Sequence, residues 1–97
     1  MDSNYKKTTQ LFSALADETR LKILVSLQDA PKTVNDVHMA LSKQNITLSA
    51  VSHQLTYLAN LGVVVYKKHG KQKTFSLSDN FCWCILKDVM KHFKEDK

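Results

Sequence analysis

Apolar residues recur along this chain with a helical period nearly everywhere, and with an alternating period in one stretch only. The pattern predicts five helices and one hairpin. Tyr5, Thr8, Phe12 and Leu15 share one side of a first helix, capped by Ser3 or Asn4 and running to about Ala16. Asp17 is the expected cap of a second helix, broadly apolar through Leu21, Ile23, Leu24, Val25 and Leu27. Asp29-Ala30-Pro31 ends it, because a residue before proline avoids helical backbone. Thr33 caps a short third helix, Val34 to Lys43, with Val34, Val37 and Leu41 inward; Gln44-Asn45 make the turn. Thr47 opens a fourth helix from Leu48 to about Leu61, whose Val51, Leu55 and Leu58 repeat at i, i+4 and i+7. Gly62 closes it where a left-handed residue is wanted.

After Gly62 the period changes. Val63-Val64-Val65-Tyr66 is β-branched and aromatic, and Thr74-Phe75-Ser76-Leu77 alternates polar and apolar. Lys67 to Lys73 between them centres on His69-Gly70, a turn signal. The last helix is expected to start at a Ser78 or Asp79 cap and run to about Lys94. The fold class predicted is mainly α with a small β-hairpin, in the order ααααββα, over residues 1–97 as a single domain.

Length and composition narrow the function. A chain of 97 residues, 43% of them hydrophobic, suffices for one packed core and excludes a multidomain enzyme. No apolar run approaches the roughly 18 residues of a membrane span, and Met1-Asp2-Ser3-Asn4 lacks a signal peptide's pattern. A cytoplasmic location is expected, with two cysteines as free thiols rather than a disulfide framework. Two glycines and one proline leave little room for phosphate-cradling loops. The four histidines are scattered, with no nucleophile–base or metalloprotease spacing, so no enzyme is expected; His38 reads as a surface or packing residue.

Charge is unevenly placed. The net +5 sits wholly in residues 37–78, which hold Lys43, Lys67, Lys68, Lys71 and Lys73 and no acidic side chain. That segment suits a polyanion, although a solvated lysine face would read the same.

Short third helix, tight turn, and fourth helix with one polar face describe a helix-turn-helix; the basic hairpin after it makes a winged version. Thr47, Ser49, Ser52, His53 and Gln54 lie on the exposed side of the fourth helix, with Thr56 farther round. Short hydrogen-bonding side chains there suit a helix entering a DNA major groove about 12 Å wide. The helix N-terminus at Thr47 to Ser49 would favour a phosphate. Lys67, Lys68, His69, Lys71 and Lys73 of the hairpin would grip phosphates or the neighbouring minor groove. A sequence-independent architectural DNA-binding protein would use the same lysines without needing that polar face.

Three separated motifs resemble the ArsR/SmtB family of small winged-helix repressors. Leu15-Ala16-Asp17-Glu18-Thr19-Arg20-Leu21-Lys22-Ile23-Leu24 is similar to that family's opening motif. Leu48 to Leu58 resembles its recognition helix, with His53 one position before the usual histidine site, which Gln54 occupies. Leu61-Gly62-Val63-Val64 and then Phe75-Ser76-Leu77 follow in order. The resemblance spans about residues 8 to 95. It implies a homodimer that binds double-stranded DNA at an inverted-repeat operator and releases it when an inducer binds. The last helix fits a dimer, since Phe81, Cys82, Trp83, Cys84, Ile85, Leu86, Val89, Met90 and Phe93 make it apolar around its circumference. The first and last helices are the expected interface.

The resemblance also implies two kinds of metal site. Thr33 and Asn35 occupy the positions of a thiolate pair, so that site is absent. A second site pairs an Asp-x-His of one subunit with a His-x-x-Glu of the other; Asp79, His92 and Glu95 match its spacing, but Phe81 replaces its first histidine. No metal cofactor is therefore expected, with Asp79 reading as a helix cap and His92 with Glu95 as a solvated pair. Cys82 and Cys84 are candidate thiol sensors across a dimer axis, although most cysteines in apolar surroundings are inert core residues. Two residues apart on a helix they diverge by about 200°, which disfavours a mutual disulfide.

Overall fold

The computed structural model describes residues 2–79 and 83–95. Its elements run α1 (Asp2–Leu15), α2 (Glu18–Ser26), β1 (Lys32–Thr33), α3 (Val34–Ala40), α4 (Leu48–Leu61), β2 (Val64–His69), β3 (Gln72–Leu77) and α5 (Cys84–Glu95). Side chains set three of the helix starts. Asp17 Oδ2 accepts from the Arg20 N–H at 3.0 Å at the head of α2. Thr33 and Asp36 form a reciprocal capping box on α3. Thr47 Oγ1 accepts from the Ala50 N–H at 3.0 Å on α4.

The ends also follow the expected chemistry, with one shortening. Gly62 closes α4 at φ +83°, backbone that any other residue adopts only with strain. The third helix stops at Ala40 rather than Lys43, and the chain tightens into a helical turn at Ser42–Gln44. Asn45, left-handed at φ 56°, ends that turn. His38 Nε2 donates to the Ile46 carbonyl at 2.9 Å and fastens α3 to the lead-in of α4. It is a packing residue, as the sequence suggests.

The wing follows the predicted pairing. β2 and β3 run antiparallel from Val64↔Leu77 to His69↔Gln72, with Gly70 and Lys71 as the turn. Gly70 has φ +64°, which the first position of such a two-residue turn favours. A further strand stands outside the expected order: β1 pairs with β3 through Lys32↔Phe75 and Thr33↔Thr74, giving the sheet order β1-β3-β2. Two residues are too few for a period to show in sequence. Lys32 Nζ donates to the Ser26 carbonyl at 2.6 Å, close to the C-terminus of α2 where a cation is favoured, and pairs with Asp29 at 2.9 Å.

Ile23, Leu24, Val37, Val51, Leu55, Leu58 and Val64 are fully buried, so α2, α3, α4 and the root of the wing share one core. Each such side chain contributes about 1.5–3 kcal/mol by its burial. Phe75 and Leu86 extend that core to the sheet and to α5.

The two outer helices depart from expectation. α1 begins at Asp2, so Ser3 and Asn4 both lie inside its first turn rather than capping it. Of its predicted stripe only Leu15 is half-buried, while Tyr5, Thr8 and Phe12 are exposed, Tyr5 at 70% and Phe12 at 56%; Ala14 and Leu11, outside that stripe, turn inward instead. α5 begins at Cys84, so neither Ser78 nor Asp79 caps it. Ser78 stays tied to the sheet, its N–H donating to the Val63 carbonyl at 3.1 Å and its carbonyl accepting from Trp83 Nε1 at 2.9 Å. The free-thiol expectation is corrected as well, because Cys84 is disulfide-bonded. Divergence around a helix opposes such a bond only when both cysteines lie on that helix, and α5 includes only Cys84. Cys82, the other cysteine of the chain, lies outside the described residues, as does Phe81. Among the described residues no helix is long and apolar enough to cross a membrane.

Candidate nucleic-acid interface

The buried side of α4 dictates its free side. With about 100° per residue, placing Val51, Leu55 and Leu58 in the core turns Ser49, Ser52, His53 and Thr56 outward, and all four are exposed. Together with Leu48, and with Val34 and Asn35 of α3, they line an open groove of about 680 Å³. Thr56 Oγ1 is engaged by the Ser52 carbonyl at 3.0 Å. The hydroxyls of Ser49 and Ser52 and the His53 imidazole take no hydrogen bond among the described residues. Thr47 caps α4 and does not line the groove.

The wing supplies charge to the same place. Alternation along its strands puts Tyr66, Lys68, Lys73 and Phe75 on one face and Lys67, His69 and Thr74 on the other. Tyr66 and Phe75 pack with ring centroids 5.5 Å apart, and Lys73 Nζ lies 4.5 Å from the Tyr66 ring centre. Lys71, Gln72 and Lys73 join Thr33, Val34, Asn35 and Ser52 in lining a second cleft of about 310 Å³. Ser52 borders both hollows. The structure therefore brings Ser49, Ser52, His53, Lys71 and Lys73 together, and sets Lys67 and His69 on the sheet's opposite face.

Gln54 stands apart from that face. It is half-buried on the flank of α4, where its Oε1 accepts from Arg20 Nε at 2.8 Å. The Arg20 guanidinium also lies 4.3 Å from the centre of the Tyr57 ring. Arg20, Asn35 and Gln72 are not among the site residues expected from sequence. Arg20 falls within the Leu15–Leu24 motif, but a partner 34 positions away leaves no local pattern.

Three acidic groups of the helical half are engaged within the fold. Glu18 pairs with Lys22 at 2.8 Å, and the hydrogen bond from Lys22 holds its carboxyl below the usual range. Lys32 does the same for Asp29. Asp36 is occupied by the capping box. Among the described residues no lysine of the wing forms an ion pair.

The thiolate site implied by the sequence resemblance lacks its ligands. Thr33 and Asn35 offer a hydroxyl already engaged as a cap and a carboxamide, neither of them a thiolate. Asp79 lies ahead of α5, whereas His92 lies on it with its ring edge-on to Phe93, centroids 5.0 Å apart. Among the described residues no three metal-binding side chains gather, and the Glu95 side chain is not one of those described.

Helix α3, a turn, helix α4 and the basic two-stranded wing define a winged helix-turn-helix domain. A family profile described as "Bacterial regulatory protein, arsR family" matches residues 17–66, and the chain belongs to that family. It is 33% identical over 90 residues to the "Transcriptional repressor SmtB homolog" of Synechocystis sp., an alignment covering 93% of this chain and 66% of the relative. It is 39% identical over 79 residues to the "HTH-type transcriptional regulator NmtR" of Mycobacterium tuberculosis, covering 81% of this chain and 63% of that one. The chain thus spans just under two thirds of the length of these relatives. The solved structure of HlyU from Vibrio cholerae superposes with a TM-score of 0.78 at 27% identity, covering 96% of this chain and 98% of that chain. HlyU is described as a transcriptional activator.

Proposed function

We propose that this protein is a sequence-specific, dimeric DNA-binding transcriptional repressor acting in the cytoplasm on an inverted-repeat operator. The observation that carries the reading is the position of Ser52, which borders both the groove along α4 and the cleft to Lys71 and Lys73. Base-reading donors and phosphate-gripping cations are thereby contiguous, as a duplex requires. Ser49, Ser52 and His53 present short donors and acceptors to base edges in the major groove. Lys68, Lys71 and Lys73 hold the backbone beside them, and Lys67 and His69 serve the outer side of the wing. The protein acts by occupancy rather than catalysis. Repression accords with the name of the SmtB relative, whereas HlyU carries the name of an activator.

A second copy of the chain covers the apolar residues that one copy leaves in water. On α5, Ile85, Val89 and Phe93 recur every four residues and are exposed, as are Tyr5 and Phe12 on α1. Two such helices from each copy make a self-complementary interface. The second copy also duplicates α4, and two reading helices call for half-sites one helical turn, about 34 Å, apart.

The test is selection of bound fragments from genomic or random DNA, followed by footprinting. Two protected half-sites with a shared consensus are expected. Continuous protection without a consensus would replace this reading with that of a backbone-coating protein.

A further inference from the structure

We infer that Arg20 and Gln54 together form a clamp for a DNA backbone phosphate on the flank of α4, and that Gln54 reads no base. The inference rests on the DNA-binding reading above and assigns Gln54 a different part in it. An arginine can only donate, so the Gln54 oxygen must face Arg20 Nε, and their 2.8 Å contact occupies it. The part of the amide left over is Nε2, a donor. The Nη groups of Arg20 take no hydrogen bond among the described residues, so they too are donors left over.

What the pair offers is therefore donors alone. That set matches an acceptor-only anion such as a phosphate diester. It does not match adenine, whose bidentate recognition by glutamine needs one donor and one acceptor from the amide.

Placement agrees with the chemistry. Gln54 lies about 100° around α4 from His53, on a flank it shares with the half-buried Ala50 and Tyr57. A helix about 10–12 Å across fills a major groove about 12 Å wide, so its flanks meet the groove walls, which are phosphates. Stacking on Tyr57 at 4.3 Å and half-burial hold the guanidinium ready, which lessens the entropy given up on binding.

The experiment measures affinity against salt for two duplexes of equal length, one selected by the natural protein and one of random sequence. Arg20→Met should weaken binding to both by the same factor. It should also flatten the log–log slope by about 0.9 per protomer, hence about 1.8 for a dimer. Gln54→Glu leaves the arginine stacked on Tyr57 but neutralises it, and the same flattening is expected even if Arg20→Met proves unstable in a thermal melt. Arg20→Lys should keep the slope. Natural slopes in both Arg20→Met and Gln54→Glu, or weakening confined to the selected duplex, overturn the clamp alone. A natural protein that binds neither duplex overturns the DNA-binding reading and the clamp with it.

Discussion

Lys68 and Lys73 stand directly opposite each other on the neighbouring strands of the wing. Like charges in register weaken a hairpin by roughly 0.2–1 kcal/mol, and the Tyr66 ring beneath Lys73 relieves only part of that. The pairing costs stability in the free protein and gains when a polyanion neutralises both groups. Lys68→Glu should therefore raise the thermal midpoint by roughly 1–8 °C while weakening binding to every duplex and flattening the salt slope. Thermal melts and salt titrations of the same preparation check this. A lower midpoint in the variant would show that the lysines are not in conflict.

Base reading and backbone gripping should separate on mutation. Ser52→Ala and His53→Ala should each erode discrimination between selected and random duplexes by roughly 1–3 kcal/mol where the side chain bonds well to a base, and leave the salt slope unchanged. Lys71→Met should lower both affinities equally and reduce the slope. Competition binding at two salt concentrations distinguishes the classes. Identical behaviour of serine and lysine variants would remove Ser52 from the reading set.

Dimerisation is best probed at Phe93, which is 66% exposed. Trp83, the apolar residue that the sequence alone recommends, is a poorer choice because it is half-buried and its indole donates to the Ser78 carbonyl. A charge there would damage the single copy. The natural protein should sediment at about twice 11.1 kDa at micromolar concentration, and Phe93→Glu should give a folded monomer by the same measurement and by circular dichroism. A monomeric natural protein contradicts the interface assigned to α1 and α5.

Zinc should not be the inducer. Phe81 stands where the related metal site has an imidazole, and it has no lone pair to give. Operator affinity measured at nanomolar free zinc should barely change in the natural protein, whereas Phe81→His should show a larger drop. Coupling of 1–3 kcal/mol is typical of a working effector. A tenfold drop in the natural protein would mean that Asp79, His92 and Glu95 suffice.

Much of this architecture is legible in the sequence because it is local. Asp17, Thr33, Thr47 and Gly62 mark helix ends through side-chain or backbone chemistry within four residues, and all four act as expected. Val51, Leu55 and Leu58 likewise fix which side of α4 is free. What escapes is non-local or too short to have a period. β1 is two residues paired to a strand about forty positions on, and its existence depends on Phe75 and Thr74 rather than on Lys32 and Thr33. The start of α5 is hard to place because Ser78 is a plausible cap in sequence but is held to Val63 in space. Gln54 groups with Ser52 and His53 by its polarity, and only the fold shows that its oxygen is taken by Arg20.

The small strand β1 has a consequence for how a duplex would be chosen. Thr33 pairs with Thr74 of the wing and at the same time caps α3, which packs on α4. The hairpin is thus bolted at mid-strand to the helices that line the groove, and the span from Ser52 to Lys71 is set by the protein. A duplex bound here would be gauged as if by a caliper with fixed jaws. Base steps lying between the two jaws, touched by no side chain, would still count, because those that flex easily let the backbone meet the jaws at lower energy.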